Sequence, residues 1–311
     1  MKVLLARKPT PNEALQPTAN PLRELSSAEH GRKRVFPDTM KCRLKDGLVN
    51  YEVHGKGRPL LILHGGYLDH RHIVNVMEPV FDDNSEWMRI YPDLPGHGQT
   101  SISDSIQNHD QVLNVLEEFM NEICPGQKYA VAGESRGGFL ARGLTAKNLD
   151  FINGLLLIVP GRFSVANPEH LPPQITLEKA DELIPELAEN EVGRFNKLVV
   201  QNREILEKIR KYKLPAISLA NIECQQRLNE NYEFSFDLDS PEYAFGNPTL
   251  VLLGRFDIEV GYHDALRAIE NYPRATYAIL DKAGHSLSWE QPELFSALVK
   301  DWIRRVEHHA E

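Results

Sequence analysis

Residues 129–140 read Tyr-Ala-Val-Ala-Gly-Glu-Ser-Arg-Gly-Gly-Phe-Leu, and the reading of this stretch decides the fold. Tyr129–Ala132 is a short apolar run of the kind that forms a strand buried on both faces. Phe139, Leu140 and Leu144 then recur at helical spacing. Between them, Gly133-Glu134-Ser135-Arg136-Gly137 is a G-x-S-x-G sequence. Alone the pattern is weak, because average residue usage produces it by chance in roughly one chain in ten of this length. Its position between a strand and a helix makes it specific. A serine on so sharp a turn is held in a strained backbone with its hydroxyl exposed. Gly133 and Gly137 are expected where the chain passes close to itself. The plain alternative, a glycine-rich turn with a capping serine, does not account for that context.

A serine hydroxyl is a poor nucleophile until a base takes its proton, and the base needs a third group to orient it. Two downstream segments supply such groups at the ends of expected strands. Gly254-Arg255-Phe256-Asp257 follows Thr249–Leu253, and Ala283-Gly284-His285 follows Thr276–Leu280. Ser135, Asp257 and His285 are therefore the candidate nucleophile, orienting acid and base. In open parallel sheets such groups gather at the carboxyl ends of strands. Asp281 is the second candidate for the acid, but its place before the histidine loop suits a structural role.

Working outward, Cys42–Leu44 and Leu48–His54 read as two strands around the turn Lys45-Asp46-Gly47. Leu60–Leu63, Met88–Tyr91 and Leu155–Val159 are further apolar runs. Val112, Val115, Leu116, Phe119 and Ile123 share one helical face. A last helix opens at Pro292 and repeats Leu294, Phe295, Leu298, Val299, Trp302, Ile303 and Val306. Strands alternating with helices predict an α/β fold whose mostly parallel central sheet is covered on both faces. Residues 161–246 break the alternation. There Phe195, Leu198, Val199, Ile205, Leu206, Ile209 and Tyr212 recur at helical spacing among charged residues, which predicts a helical insertion. Phe195, Leu198 and Ile205 are expected to cover the mouth above Ser135.

On these residues the chain resembles the α/β-hydrolase superfamily, serine-nucleophile branch, over about residues 41–306. Leu63-His64-Gly65-Gly66 is similar to that family's oxyanion loop, and Asp93-Leu94-Pro95-Gly96-His97-Gly98-Gln99-Thr100 to the loop after its fourth strand. The resemblance implies a core of residues 40–160 and 247–311 with a helical cap at 161–246. It also implies that the backbone N–H groups of Gly66 and Arg136 stabilise an oxyanion, as donors fixed in advance do. Arg136 departs from the small or apolar residue often found after the nucleophile. A neighbouring carboxylate is its expected partner, an acidic substrate the other. His64 and His97 are read as structural, holding backbone through hydrogen bonds. Asp69, His70 and His72 are read as exposed helix-start polarity, and no metal site is assigned.

The remaining features bound the function. The chain has 311 residues with a net charge of −9, which argues against a nucleic-acid binder, since that needs a basic face. No apolar run approaches the length of a membrane span. Cys42, Cys124 and Cys224 are scattered and odd in number, and read as buried thiols in a reducing, cytoplasmic setting. Residues 1–39, with Pro9, Pro11, Pro17 and Pro21 and no lasting period, are expected to be a disordered extension, with Met40 a candidate translation start.

The expectation is a serine hydrolase cleaving an ester, thioester or related carbonyl substrate of small size, without a cofactor. A serine nucleophile disfavours the epoxide hydrolase and haloalkane dehalogenase branches, which use aspartate there. The alternatives are a C–C bond hydrolase of the same fold, a proline aminopeptidase lacking the usual glycine-proline loop after Gly66, and a low-turnover ligand receptor. Substrate-binding residues and oligomeric state are not legible in the sequence.

Overall fold

A computed structural model describes residues 39–161, 170–240 and 242–309. The expected extension therefore lies outside the described residues, apart from Thr39. In chain order the elements are β1 (Met40–Leu44), β2 (Gly47–His54), β3 (Arg58–Leu63), α1 (His70–Met77), β4 (Trp87–Pro92), α2 (His109–Ile123), β5 (Tyr129–Glu134), α3 (Arg136–Lys147) and β6 (Ile152–Ile158). The helical insertion follows with α4 (Glu189–Asn196), α5 (Arg203–Lys208), a π-helical turn (Ile209–Lys213), α6 (Leu214–Leu219) and α7 (Ile222–Glu230). The chain then returns through β7 (Thr249–Gly254), β8 (Ala275–Leu280), α8 (Leu287–Glu290) and α9 (Pro292–His309).

The eight strands form one sheet in the order β1-β2-β4-β3-β5-β6-β7-β8. β1, β2 and β4 pair antiparallel, and every pair from β4 to β8 is parallel. The central strands explain their own sequences: all six residues of β5 and of β7 are buried, so neither face needs polar side chains. Successive side chains point to opposite faces. Leu60, Ile62, Ala130, Ala132, Leu156, Ile158, Leu250 and Leu252 share a core with Ile73 and Met77 of α1 and Phe295, Val299 and Trp302 of α9. The alternate residues, among them Leu61, Val131 and Val251, are equally buried, and α3 packs on β3, β5 and β6 with α2 beside it. β8, at the edge, is only partly buried. Leu294 also departs from the expected core stripe of α9, being exposed.

The insertion is helical as expected, but not continuously so. α4 ends at Asn196, and Val200 then makes an isolated bridge to Glu178 before α5 begins. Asn202 restarts the helix by accepting the N–H of Ile205. Phe195, Leu198, Ile205, Leu206 and Ile209 enter the same core as the sheet. Among the described residues no helix is long and apolar enough to cross a membrane. All three cysteines are free and buried, and burial pushes the Cys42 and Cys124 thiols up to about 11.

Candidate active site

The turn between β5 and α3 holds Ser135 at φ 53° and ψ −118°, outside the regions open to most side chains. Two glycines make that turn sterically feasible. A Cβ on Gly133 would lie 2.1 Å from the Gly137 carbonyl oxygen, and one on Gly137 would lie 2.3 Å from that of Leu63. The strained turn aims the hydroxyl at His285, whose Nε2 is 3.1 Å from Ser135 Oγ. On the other side of the ring, Nδ1 is 2.8 Å from Asp257 Oδ2. Asp257 is fully buried, and its Oδ1 accepts the backbone N–H groups of Glu259 and Val260. An acceptor-only carboxylate on Nδ1 selects the tautomer that leaves Nε2 free to accept from serine. The structure thus brings Ser135, His285 and Asp257 into one hydrogen-bonded chain. Asp281 is exposed and lies outside it.

Burial depresses the His285 pKa, but the charges of Asp257 and Glu259 and the bond to Asp257 outweigh it, and the ring is raised to about 9. Glu259 Oε2 lies 3.6 Å from Nε2. The loop carrying His285 is anchored by Glu290, which accepts from Gly284 N at 2.6 Å and from Val199 N at 2.7 Å. One carboxylate thereby ties the histidine loop to the helical insertion.

The loops carrying Gly66 and His97 are held by two imidazoles. Leu94 N donates to His64 Nε2 and Tyr67 N donates to His97 Nε2, while each Nδ1 sits on a carbonyl, Gly65 O or Pro95 O. Burial pulls both rings below their ordinary pKa. Tyr67, held by His97, has φ 63°, a conformation a tyrosine rarely takes unaided.

Asp69, His70 and His72 are buried, not exposed as their position before a helix suggested. Asp69 caps α1 and binds Arg71. His70 and the N–H beside it share Asp93 Oδ1, while Asn50 and Gln99 occupy Asp93 Oδ2. Asp69, His70 and Asp93 lie close enough to chelate an ion, but protein donors already engage both carboxylates. His72 reaches Glu134 at 2.9 Å, directly before the serine. Burial raises the Glu134 carboxyl, but His72, with Lys213 and His285, more than reverses this and holds it down at about 2.

Ser135, His285 and Gly66 open on a cavity of about 700 Å³ between the strand ends and the insertion. Its walls include Leu198, Ile217 and Ile222, together with Arg136, Arg194, Lys197 and Lys213. Phe195 and Ile205, expected at the mouth, instead lie in the core, and of the three expected residues only Leu198 also lines the cavity. Lys213 enters through the π-helical turn, donates to Ser286 Oγ at 3.1 Å and lies 4.8 Å from the centre of the Trp289 ring. Glu134, Glu259 and Lys213 were not singled out in the sequence. The two glutamates flank recognised residues, but nothing local marks Lys213. Arg136 has no neighbouring carboxylate among the described residues, contrary to its expected pairing. Its Nη atoms donate to the amide oxygens of Gln225 and Asn229.

The topology alone sets the class. A mostly parallel sheet with an antiparallel first edge, a strained serine after β5 and partners after β7 and β8 define an α/β-hydrolase. Residues 60–298 match the Alpha/beta hydrolase family, and the chain belongs to that family of enzymes. It is 24% identical over 310 residues to a proline iminopeptidase of Saccharolobus solfataricus, across 90% of this chain and 94% of that one. To the 2-hydroxy-6-oxo-6-(2'-aminophenyl)hexa-2,4-dienoic acid hydrolase of Metapseudomonas resinovorans it is 23% identical, across 83% and 88% of the two chains. An alpha/beta superfamily hydrolase from Oenococcus oeni PSU-1 shares the fold with a TM-score of 0.77 at 24% identity, over 86% of this chain and 99% of that one.

Proposed function

We propose that this chain hydrolyses an ester, thioester or related carbonyl compound of small size through an acyl-enzyme, with Ser135 as nucleophile, His285 as base and Asp257 as the acid that orients it. The observation that carries the reading is the hydrogen-bonded chain from Ser135 Oγ through His285 to buried Asp257, at the edge of an open cavity. His285 Nε2 takes the serine proton as Oγ bonds to the carbonyl carbon and the C=O electron pair moves onto oxygen. The N–H groups of Gly66 and Arg136 receive that oxyanion. Arg136 is the first residue of α3, so its N–H has no carbonyl within the helix to bind. Collapse expels the alcohol or thiol, which takes the proton from the imidazolium. A water activated by the same nitrogen then releases the acid.

Residues 161–246 act in this reading as the cap that shapes the pocket. A second reading, C–C bond hydrolysis, is favoured by the similarity to the dienoic acid hydrolase. Turnover of p-nitrophenyl acetate by the native chain, absent in Ser135→Ala, tests the first reading. Ester turnover that survives Ser135→Ala would remove the assigned nucleophile. No turnover of any ester, with cleavage of a dienone acid, would establish the second reading.

A further inference from the structure

We propose that the Arg136 side chain is a carboxylate-binding residue, and that the substrate carries a carboxylate a few bonds from the carbonyl attacked by Ser135. This deepens the hydrolase reading and rests on it. Among the described residues four cationic side chains line the cavity, and of these Arg136 alone is buried, at 6% exposure. Lys197 is paired with Glu259 at 3.1 Å, and Glu134, Glu259 and Glu290 act on Lys213. Among the described residues Arg136 meets only neutral groups: the amide oxygens of Gln225 and Asn229, the hydroxyl of Tyr232, and the flanking rings of Tyr67 and Tyr232, each 5.9 Å from its guanidinium carbon. Its Nε is buried without a hydrogen-bond partner. A guanidinium offers five N–H donors in a plane that matches a carboxylate, and a buried cation without a counter-charge is costly. Gln225 and Asn229, both from α7, fix that plane.

The position also limits the substrate. A Cβ added to Gly66 would lie 3.1 Å from Arg136 Cζ and 3.3 Å from Nε. The guanidinium therefore packs on the residue whose N–H is proposed to hold the oxyanion. A carboxylate bound there lies in the same corner of the cavity as the reacting carbonyl, which selects short half-esters over long ones. Glu134 and Glu259 also line the cavity, and they oppose a dianion such as a phosphate monoester more strongly than a single carboxylate.

The test compares monomethyl succinate with its neutral isostere methyl 4-methylpentanoate. The native chain should show kcat/KM at least about tenfold higher for the anion, the scale of one charged hydrogen-bonded contact. Arg136→Gln should abolish that preference, and Arg136→Lys should restore part of it if the glutamine variant fails to fold. Calorimetry of monomethyl succinate binding to Ser135→Ala, with and without Arg136→Gln, needs no turnover. Binding of that monoanion that depends on Arg136, without hydrolysis of either ester by the native chain, would keep the carboxylate site and sink the hydrolase reading. Equal hydrolysis of both esters by the native chain and both Arg136 variants would overturn the carboxylate site and leave the hydrolase reading standing.

Discussion

The sheet and the helical insertion use their residues in opposite ways. β5 and β7 bury every residue, and the three members of the Ser135–His285–Asp257 chain stand at strand ends where a rigid sheet fixes them. The insertion buries one face only. It leaves Leu219 and Ile222 about half exposed, at 49% and 53%, and carries surface ion pairs such as Arg203 with Glu186 and Lys208 with Glu204. Bond-breaking geometry tolerates little displacement, whereas a pocket wall can change its side chains without moving the reacting atoms. Turnover and stability should therefore respond most to changes in the sheet, and substrate preference to changes in the insertion.

The largest effect should fall on the strand ends. Ser135→Ala and His285→Ala should each lower kcat by about 10⁴-fold or more, with the double variant little worse than either, because nucleophile and base act as one unit. Single-turnover and steady-state kinetics on p-nitrophenyl acetate check this; near-native activity in His285→Ala would end the assignment. Stability should divide the same way. Trp302, fully buried with its indole N–H on Pro248 O at 3.1 Å, should cost roughly 3–5 kcal/mol on truncation to alanine. Ile222→Ala should cost within about 0.5 kcal/mol. Urea melts of the two variants decide it, and similar losses would dissolve the contrast.

On the insertion side, Leu198→Ala and Ile217→Ala should change the ratio of kcat/KM for long against short acyl esters by up to about tenfold, while acetate turnover changes less. Equal losses for both substrates, with folding intact, would deny the insertion a selective role.

Glu259 joins the two regions, since it faces both His285 and Lys197. His285 must be neutral to act as base, so with its pKa raised to about 9, kcat/KM should climb with pH toward that value. Glu259→Gln removes a charge that favours the imidazolium, so the rising limb should move to lower pH. The His285 contribution to stability, present below its ordinary value of 6.5, should be lost as pH rises through about 9. A rising limb that stays in place in Glu259→Gln would show that this carboxylate does not act on the base. The smallest effect expected is from removing residues 1–39. Their composition offers little apolar surface to offset the entropy of ordering them. A chain starting at Met40 should match the full chain in turnover, and a melting temperature lower by more than about 5 °C would contradict that.

Much of this molecule is legible in its sequence, because strands buried on both faces must be unbroken apolar runs and turns at their ends must carry glycine. Tyr129–Ala132, Thr249–Leu253 and the residues following them are local signals of that kind, and the G-x-S-x-G turn with two further strand ends is enough to nominate Ser135, Asp257 and His285. Local pattern therefore sets the sheet, the sharp turn and which residues stand at strand ends. What those residues meet depends on contacts between distant segments. Arg136 finds Gln225 across 89 positions, His72 finds Glu134 across 62, and Lys213 reaches the cavity through a π-helical turn. Phe195 and Leu198 share an apolar periodicity and one core, yet only Leu198 also reaches the cavity wall. Local propensity sets a backbone segment within a few residues, but the direction and partner of a charged side chain are settled by surfaces far away in sequence, which meet only when the whole core has formed.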